Sequence, residues 1–173
     1  MAVWTVSADA DDGRRGRLTG PVFGAPCALG RGGMVPADSK REGDGASPMG
    51  SYALRRVYFR PDKVEQPLTA LPCEILRPEY GWCDDAESPH YNRLVRLPFG
   101  PSHEKMWRDD DVYDVVVVIG HNDAPVVPGL GSAIFMHVAR GGFTPTEGCV
   151  ALTLDDLTRF LRQVGPEDTL KIG

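Results

Sequence analysis

A nearly continuous run of β-branched residues from 112 to 119 constrains the fold of this chain more than any other segment. The run reads Val-Tyr-Asp-Val-Val-Val-Val-Ile and contains neither glycine nor proline. β-Branched side chains favour extended backbone, and an uninterrupted apolar stretch has no polar face to present to water. The run therefore predicts a central strand that is covered on both faces, and a core that is built around a sheet.

The other strand patterns are short, and glycine- and proline-containing turns separate them. They predict strands at residues 3–6, 27–29, 50–58, 73–76, 133–138, 150–152 and 170–172. A brief helical turn is expected over residues 104–111. One amphipathic helix is predicted over 154–164, where apolar residues recur at spacings of three and four, with Thr153 as its N-cap and Asp156 at its third position. The predicted fold is mainly β, a β-sandwich or distorted barrel with one C-terminal helix.

The length of the chain limits the number of domains it can form, and its charge limits the classes of partner it can bind. Its 173 residues fit a single domain, which we place at residues 26–173, with residues 1–25 as a peripheral N-terminal segment. The net charge is −5, and acidic and basic residues are interspersed. No basic stripe suits nucleic acid, and no apolar run reaches the roughly 18–20 residues that cross a bilayer. We therefore expect neither a nucleic-acid partner nor a transmembrane segment.

The four cysteines do not suggest a metal site or a disulfide framework. They lie at positions 27, 73, 83 and 149 and form no Cys-x-x-Cys pair. Cys27 and Cys73 sit in short apolar runs and are expected to be small buried hydrophobic residues. Cys83 falls in a segment, Trp82 to Asp85, that we predict to be a polar loop, and a structural role is favoured for it.

Cys149 is different because a histidine lies twelve positions before it. His137 lies near the end of an apolar run, residues 133–138, in which it shares a strand face with Ala133 and Phe135. Cys149 follows Thr-Glu-Gly at a loop-to-strand junction. A thiolate attacks carbonyl carbon, and an imidazole within reach accepts the thiol proton, leaving an ion pair that lowers the pKa of the thiol. The amides of Gly148 and Cys149 are candidate donors to the developing oxyanion. A histidine alone on an apolar strand would favour a structural role, but this pairing favours a thiol active site.

These residues carry a resemblance to a known family. A histidine, a short loop and then Thr-x-Gly-Cys-Val resemble the catalytic signature of the L,D-transpeptidase (YkuD-like) family of bacterial cell-wall enzymes. Residues 40–52, Lys-Arg-Glu-Gly-Asp-Gly-Ala-Ser-Pro-Met-Gly-Ser-Tyr, are similar to the family's Lys-x-Gly…Thr-Pro-x-Gly-x-Phe segment. Residues 81–85, 91–93, 113–114 and 120–123 also resemble one branch of it. The chain departs from most members at Glu147, where they have histidine, and at Ala151, where they have arginine.

The resemblance implies a set of site residues. Cys149 is the implied nucleophile and His137 the implied base, oriented by a main-chain carbonyl. Thr146, Glu147 and Gly148 are the implied oxyanion and loop residues, and the expected substrate contacts are His121, Asn122, Arg140 and Trp82. Neither a metal nor an organic cofactor is implied. Residues 40–50 are expected to be a shaped turn packed beneath the site, and His90 and His103 to be solvated.

The activity implied by the resemblance is acyl transfer on a peptidoglycan stem peptide or its precursor through a Cys149 thioester. The acceptor is an amine in an L,D-transpeptidase and water in an L,D-carboxypeptidase or amide hydrolase. A non-catalytic domain that binds cell-wall peptide or a protein partner is an alternative, and a general cysteine peptidase is a more remote one. The family implies the periplasm or cell envelope, but residues 1–9 show no secretory signal, so a cytoplasmic location stays open. The oligomeric state is also open.

Overall fold

The computed structural model describes all residues from Met1 to Gly173. Thirteen short or medium strands and a single α-helix make up the regular structure. The strands are β1 (Val3–Ala8), β2 (Arg15–Thr19), β3 (Gly24–Ala28), β4 (Met34–Pro36), β5 (Ser47–Phe59), β6 (Cys73–Ile75), β7 (Tyr80–Cys83), β8 (Leu94–Arg96), β9 (His103–Lys105), β10 (Val115–Ile119), β11 (Phe135–Val138), β12 (Val150–Leu152) and β13 (Thr169–Ile172). The helix is α1 (Leu154–Leu161), and a 3-10 turn spans Gly141–Phe143. The prediction of a mainly β fold with one C-terminal helix is confirmed.

The main sheet closes on itself. Its strands follow the order β10, β11, β12, β3, β2, β1, β13 and β5, and β5 pairs again with β10. The long strand β5 makes this closure possible, because residues 50–53 pair with β13 and residues 54–59 pair with β10. Strands β4 and β6 add to β5 in parallel. Of the two predicted architectures, the structure is the distorted barrel.

The β-branched run forms the central strand that the sequence predicts, although β10 begins at Val115 instead of residue 112. Val115, Val117 and Ile119 point into the larger hydrophobic core. Val116 and Val118 point to the opposite face, into a second and smaller core. The strand is therefore covered on both faces, as expected.

A small antiparallel sheet covers the outer face of the barrel at β5, β10 and β11. Its order is β8, β7, β9, and Trp82 of β7 packs edge-on against Phe135 with ring centroids 5.0 Å apart. Two predictions are wrong here. The expected polar loop at residues 82–85 begins as a buried strand, and the expected helical turn over 104–111 begins as strand β9. Pairing between segments distant in sequence imposes the extended conformation, because β7 bonds β8 on one side and β9 on the other.

Residues 1–25 are not the peripheral segment that we predicted. β1 lies between β2 and β13 in the main sheet, so its removal would open the barrel. Trp4 is only 1% exposed, and its ring contacts Phe160 of the helix edge-on at 4.8 Å. The first strand alternates buried and exposed side chains over few residues, and its role depends on partners at the other end of the chain.

The helix begins and packs as expected. The Thr153 side chain accepts a hydrogen bond from the Asp156 amide at 3.2 Å, which satisfies one of the free N–H groups of the first turn. Leu157, Phe160 and Leu161 are buried against the barrel core. A span across a bilayer would need a longer and more apolar helix than any in this structure.

Candidate active site

The histidine predicted to be the base lies on β11. Phe135 and His137 face the smaller core and its neighbouring cleft, whereas Met136 and Val138 face the barrel interior. This is the alternation that the sequence predicts for an extended strand. Ala133, expected to lie in the same strand, precedes it in a left-handed conformation with φ of +55°.

A short side-chain-capped turn places the cysteine. The Thr146 hydroxyl accepts a hydrogen bond from the Gly148 amide at 3.1 Å and donates one to the Cys149 carbonyl at 2.7 Å. Gly148 has a φ of +131°, and a Cβ at this position would lie 2.7 Å from the Ala46 carbonyl oxygen. The turn therefore needs glycine, because residues 40–50 pack directly beneath it as expected.

His137 and Cys149 line one cleft of about 430 Å³. Their exposed fractions are 6% and 7%, so each side chain reaches the cleft through a small part of its surface. Among the predicted loop and substrate residues, Thr146, Glu147 and Arg140 also line this cleft. The structure thus brings a thiol, an imidazole and a guanidinium to one concave surface.

The imidazole of His137 is held in one tautomer. Nδ1 lies 2.9 Å from the carbonyl oxygen of Val138, and because a carbonyl oxygen only accepts, Nδ1 carries the hydrogen. The neutral ring therefore has its lone pair on Nε2. Burial lowers the pKa of His137 to about 4, and the ring of Tyr113 packs edge-on against it at 5.5 Å. At neutral pH the imidazole is an unprotonated base, and a main-chain carbonyl holds its second nitrogen.

The thiol of Cys149 is bonded to main-chain atoms and not to the imidazole. Sγ donates to the Ala133 carbonyl at 3.2 Å and accepts from the Phe135 amide at 3.4 Å. Burial raises the pKa of this thiol to about 12. The resting pair is therefore a neutral thiol and a neutral imidazole, in contrast to the ion pair expected from the sequence. For such a pair, an attack of the sulfur on a carbonyl carbon would require the thiol proton to move to a base as the bond forms.

Of the two predicted main-chain donors to an oxyanion, one is available. The Gly148 amide is already bonded to the Thr146 hydroxyl within the turn. The Cys149 amide has no hydrogen-bond acceptor within the chain. A carbonyl oxygen of a bound substrate supplies such an acceptor, so the Cys149 amide is the better candidate of the two predicted donors.

Charged groups surround the cleft, and most of them are paired. Glu147 is exposed and bonds Arg31 at 3.0 Å, so its carboxylate points along the surface. Arg140 lies 3.5 Å from Asp110 and keeps half of its side chain exposed. Lys40 is buried, bonds Asp44 and does not line the cleft. Arg140 is therefore a cation in the cleft that remains accessible to an anionic ligand group.

Three of the predicted substrate contacts lie outside this cleft. The His121 imidazole is buried and its Nε2 bonds the Leu130 carbonyl at 2.9 Å. The Asn122 side chain caps its own loop by bonding the Val127 amide and carbonyl. Trp82 donates to Asn92, and together with His121 it borders a separate cleft of about 550 Å³. The polar groups of all three side chains make hydrogen bonds within the protein, and this indicates structural roles.

The cleft also contains residues that sequence reasoning did not assign to it. The Tyr113 hydroxyl donates to Glu104, and burial raises the pKa of Tyr113 well above its ordinary value. Glu42 accepts hydrogen bonds from Ser132 and from Tyr91. Tyr113 precedes the central strand, and Glu104 lies in β9, where the sequence predicted a helical turn. Their place in the cleft therefore follows only from the folded structure. No group of three or more His, Cys, Asp or Glu side chains is arranged to hold a metal ion.

The barrel and its cleft define a mainly β domain that presents a buried cysteine and a neutral histidine to one concave surface. The family described as the L,D-transpeptidase catalytic domain, YkuD, matches residues 8–172. The chain belongs to this family. None of the curated proteins compared with the chain matches it.

A solved structure with a similar arrangement is L,D-transpeptidase 1 of Mycobacterium tuberculosis, with 12% sequence identity and a TM-score of 0.41. The alignment covers 99% of this chain and 62% of that one, so the chain spans less than two thirds of that protein's length.

Proposed function

We propose that this protein is a cysteine-dependent L,D-transpeptidase that acts on peptidoglycan stem peptides. Family membership supports the class of enzyme. The observation that carries the proposal is the shared cleft of His137 and Cys149, in which the bond to Val138 leaves the Nε2 lone pair of the imidazole free.

In the first half-reaction the Cys149 sulfur attacks the carbonyl carbon at the L-centre of meso-diaminopimelate in a tetrapeptide stem. As the S–C bond forms, the thiol proton passes to Nε2 of His137, and the oxyanion accepts a hydrogen bond from the Cys149 amide. The C–N bond to the terminal D-alanine then breaks, and the imidazolium gives its proton to the leaving amine. A thioester remains on Cys149, and the imidazole is neutral again.

In the second half-reaction an amine of another stem attacks the thioester carbonyl. His137 takes the proton of the amine and returns it to the departing sulfur, so the new amide bond forms as the S–C bond breaks. Water in place of the amine gives hydrolysis by the same residues. Arg140 is the cation that we assign to a carboxylate of the stem peptide, because its pairing with Asp110 is long and partly exposed.

Incubation with a disaccharide-tetrapeptide, followed by mass spectrometry of the products, tests the proposal. Cross-linked dimers are expected from the unmodified protein, and neither dimers nor tripeptide from Cys149→Ala. Tripeptide product without dimers would show that water, and not an amine, is the acyl acceptor. Unchanged tetrapeptide, together with the absence of a carbapenem adduct on Cys149 by intact mass, would favour a binding domain over an enzyme.

A further inference from the structure

The wall behind the Cys149 sulfur contains a backbone conformation that alanine rarely adopts. Ala133 has φ of +55°, in the left-handed region where a Cβ is crowded. Its carbonyl accepts the Cys149 thiol hydrogen at 3.2 Å, and its amide donates to Oδ1 of Asn92 at 3.1 Å. The strained residue therefore makes two hydrogen bonds through its backbone, with its carbonyl to the thiol and with its amide to Asn92. Strain of this kind persists only where surrounding bonds hold it.

The hydrogen bonds of Asn92 fix its side chain in a position that restrains the backbone of Ala133. It is 8% exposed, and its side-chain amide makes four hydrogen bonds, all of them within the protein. Oδ1 accepts from Ala133 and from Nε1 of Trp82, and Nδ2 donates to the carbonyls of His121 and Asn122. Such a side chain is fixed in place, because any rotation would leave buried polar groups without partners.

We propose that Asn92 is a positioning residue for Cys149, acting through Ala133: it holds the left-handed conformation that places the Ala133 carbonyl on the thiol hydrogen. The carbonyl and Nε2 of His137 then compete for the same proton. The bond to the carbonyl is the resting arrangement, and attack on a substrate requires the hydrogen to move to the imidazole. This inference deepens the proposed function and rests on it for its catalytic meaning.

The physical consequence concerns the thiol itself. A carbonyl oxygen carries partial negative charge, so it stabilises S–H and opposes the negative sulfur of the thiolate. Without the bond to Asn92, Ala133 relaxes toward negative φ and its carbonyl turns away from the sulfur. The Phe135 amide remains and favours the thiolate. Release of Ala133 is therefore expected to make Cys149 more acidic.

Other ionisable groups line the cleft or act on the sulfur by charge, and the test variants leave all of them unchanged. Those that line the cleft are Glu42, Asp84, His103, Glu104, Arg108, Tyr113, His137, Arg140 and Glu147, and Lys40 acts from outside it.

The experiment measures the pH profile of Cys149 alkylation by iodoacetamide, resolved by peptide mass so that the other three cysteines do not contribute. Asn92→Gly removes the side chain and tolerates the left-handed backbone of position 92, where φ is +55°. It is expected to shift the apparent pKa of alkylation down by about one unit, a tenfold gain in rate below that pKa. The double variant Asn92→Gly/Ala133→Gly is expected to recover at least half of the shift, because glycine adopts positive φ without being held.

Tyr91→Phe is the matched control. Tyr91 holds the neighbouring Gly131 amide at 3.0 Å, so its loss loosens the same segment without freeing Ala133. The alkylation profile of this variant is expected to match that of the unmodified protein. Should Asn92→Gly fail to fold, Ala133→Val tests the same point, since a β-branched residue disfavours positive φ and should lower the apparent pKa likewise.

The outcomes separate positioning from general loosening. An unshifted profile in Asn92→Gly or Ala133→Val overturns the inference, and so does a shift that Ala133→Gly does not reverse or that Tyr91→Phe reproduces. Because the assay reads the thiol and not turnover, a protein that forms no cross-linked product still decides the question. If no cross-linked product forms, the proposed function fails, and the alkylation profiles alone show whether Asn92 restrains Ala133.

Discussion

Nδ1 of His137 lies 2.9 Å from the carbonyl oxygen of Val138, the next residue of the same strand. A carboxylate in this place would raise the pKa of the imidazole by charge, whereas a neutral carbonyl mainly fixes its tautomer and orientation. Burial then keeps the pKa of His137 low, at about 4. At neutral pH the site therefore holds a weak, unprotonated base in the same cleft as a protonated thiol.

The first prediction concerns the two reacting side chains. Cys149→Ala is expected to abolish the carbapenem adduct, and His137→Gln to slow its formation by about 10²- to 10⁴-fold, the usual contribution of a general base. His90→Gln is the control, since His90 is exposed and does not line the cleft. Intact-mass time courses measure all three rates. An adduct that forms at an unchanged rate in His137→Gln would remove the imidazole from the mechanism.

The second prediction is the pH dependence of acylation. The neutral thiol and neutral imidazole coexist from about pH 4, the pKa of His137, to about pH 12, the pKa of Cys149. Only below the lower value does a proton occupy Nε2 and block transfer. The rate of adduct formation should therefore be flat between pH 5.5 and 8.5, with its acid limb near pH 4 and not near 6.5.

Circular dichroism over the same pH range serves as the control for unfolding. A limb with its midpoint near pH 6.5 in folded protein would indicate an imidazole that titrates normally, and would contradict the resting state described above.

Local sequence patterns were sufficient to predict the placement of the two residues that carry the site, His137 and Cys149. The strand face of His137 follows from alternation, and the Thr-Glu-Gly turn before Cys149 follows from short-range backbone requirements. The rest depends on contacts between distant segments. Glu104 lies in β9, whose position depends on its pairing with β7, and Asn92 bonds Ala133 from 41 positions away.

The same limit explains the misplaced residues. His121 and Asn122 follow the central strand, so their position in the chain suggested the cleft, but position does not reveal which carbonyls their side chains bond. The N-terminal segment was underestimated for a related reason. The role of β1 is set by β13, which lies at the opposite end of the sequence.

The third prediction tests the turn before the nucleophile. Gly148→Ala places a Cβ about 2.7 Å from the Ala46 carbonyl oxygen in a left-handed backbone. We expect a loss of about 1–3 kcal/mol in the free energy of unfolding and a failure to form the carbapenem adduct at the normal rate. Gly141→Ala, in the same loop, meets no atom within 4 Å and should change neither measurement. Equal stability of the two variants in urea would contradict the role of Gly148.

The fourth prediction addresses the departure from the family signature at Glu147. Its carboxylate lies at the cleft and bonds the exposed guanidinium of Arg31 at 3.0 Å, so we expect the backbone of this position to shape the site more than its charge does. Glu147→Ala and Glu147→His are both expected to form the carbapenem adduct within about threefold of the normal rate, because exposed ion pairs contribute little. A tenfold loss in Glu147→Ala alone would show that the carboxylate takes part in the reaction.

The fifth prediction concerns the closure of the barrel by its two chain ends. The Asp168 carboxylate is buried yet accepts hydrogen bonds from the Gly165 and Ala2 amides and from Nε1 of Trp4. Burial alone would raise the pKa of Asp168, but these bonds outweigh it and the pKa lies below its ordinary value. A carboxyl group whose pKa is lower when folded stabilises the protein above its unfolded pKa of about 3.9 and loses that contribution as the pH falls.

The unfolding free energy is therefore expected to decline from pH 5 toward pH 3, and Asp168→Ala to lower it by about 1–3 kcal/mol at pH 7, since its three donors lose their acceptor. Urea unfolding followed by tryptophan fluorescence measures both quantities. Asp155→Ala is the matched control, because Asp155 is exposed on α1 and makes no hydrogen bond through its side chain. A variant at position 168 that is as stable as this control at pH 7 and declines equally with acid would show that other groups govern the acid sensitivity of the barrel.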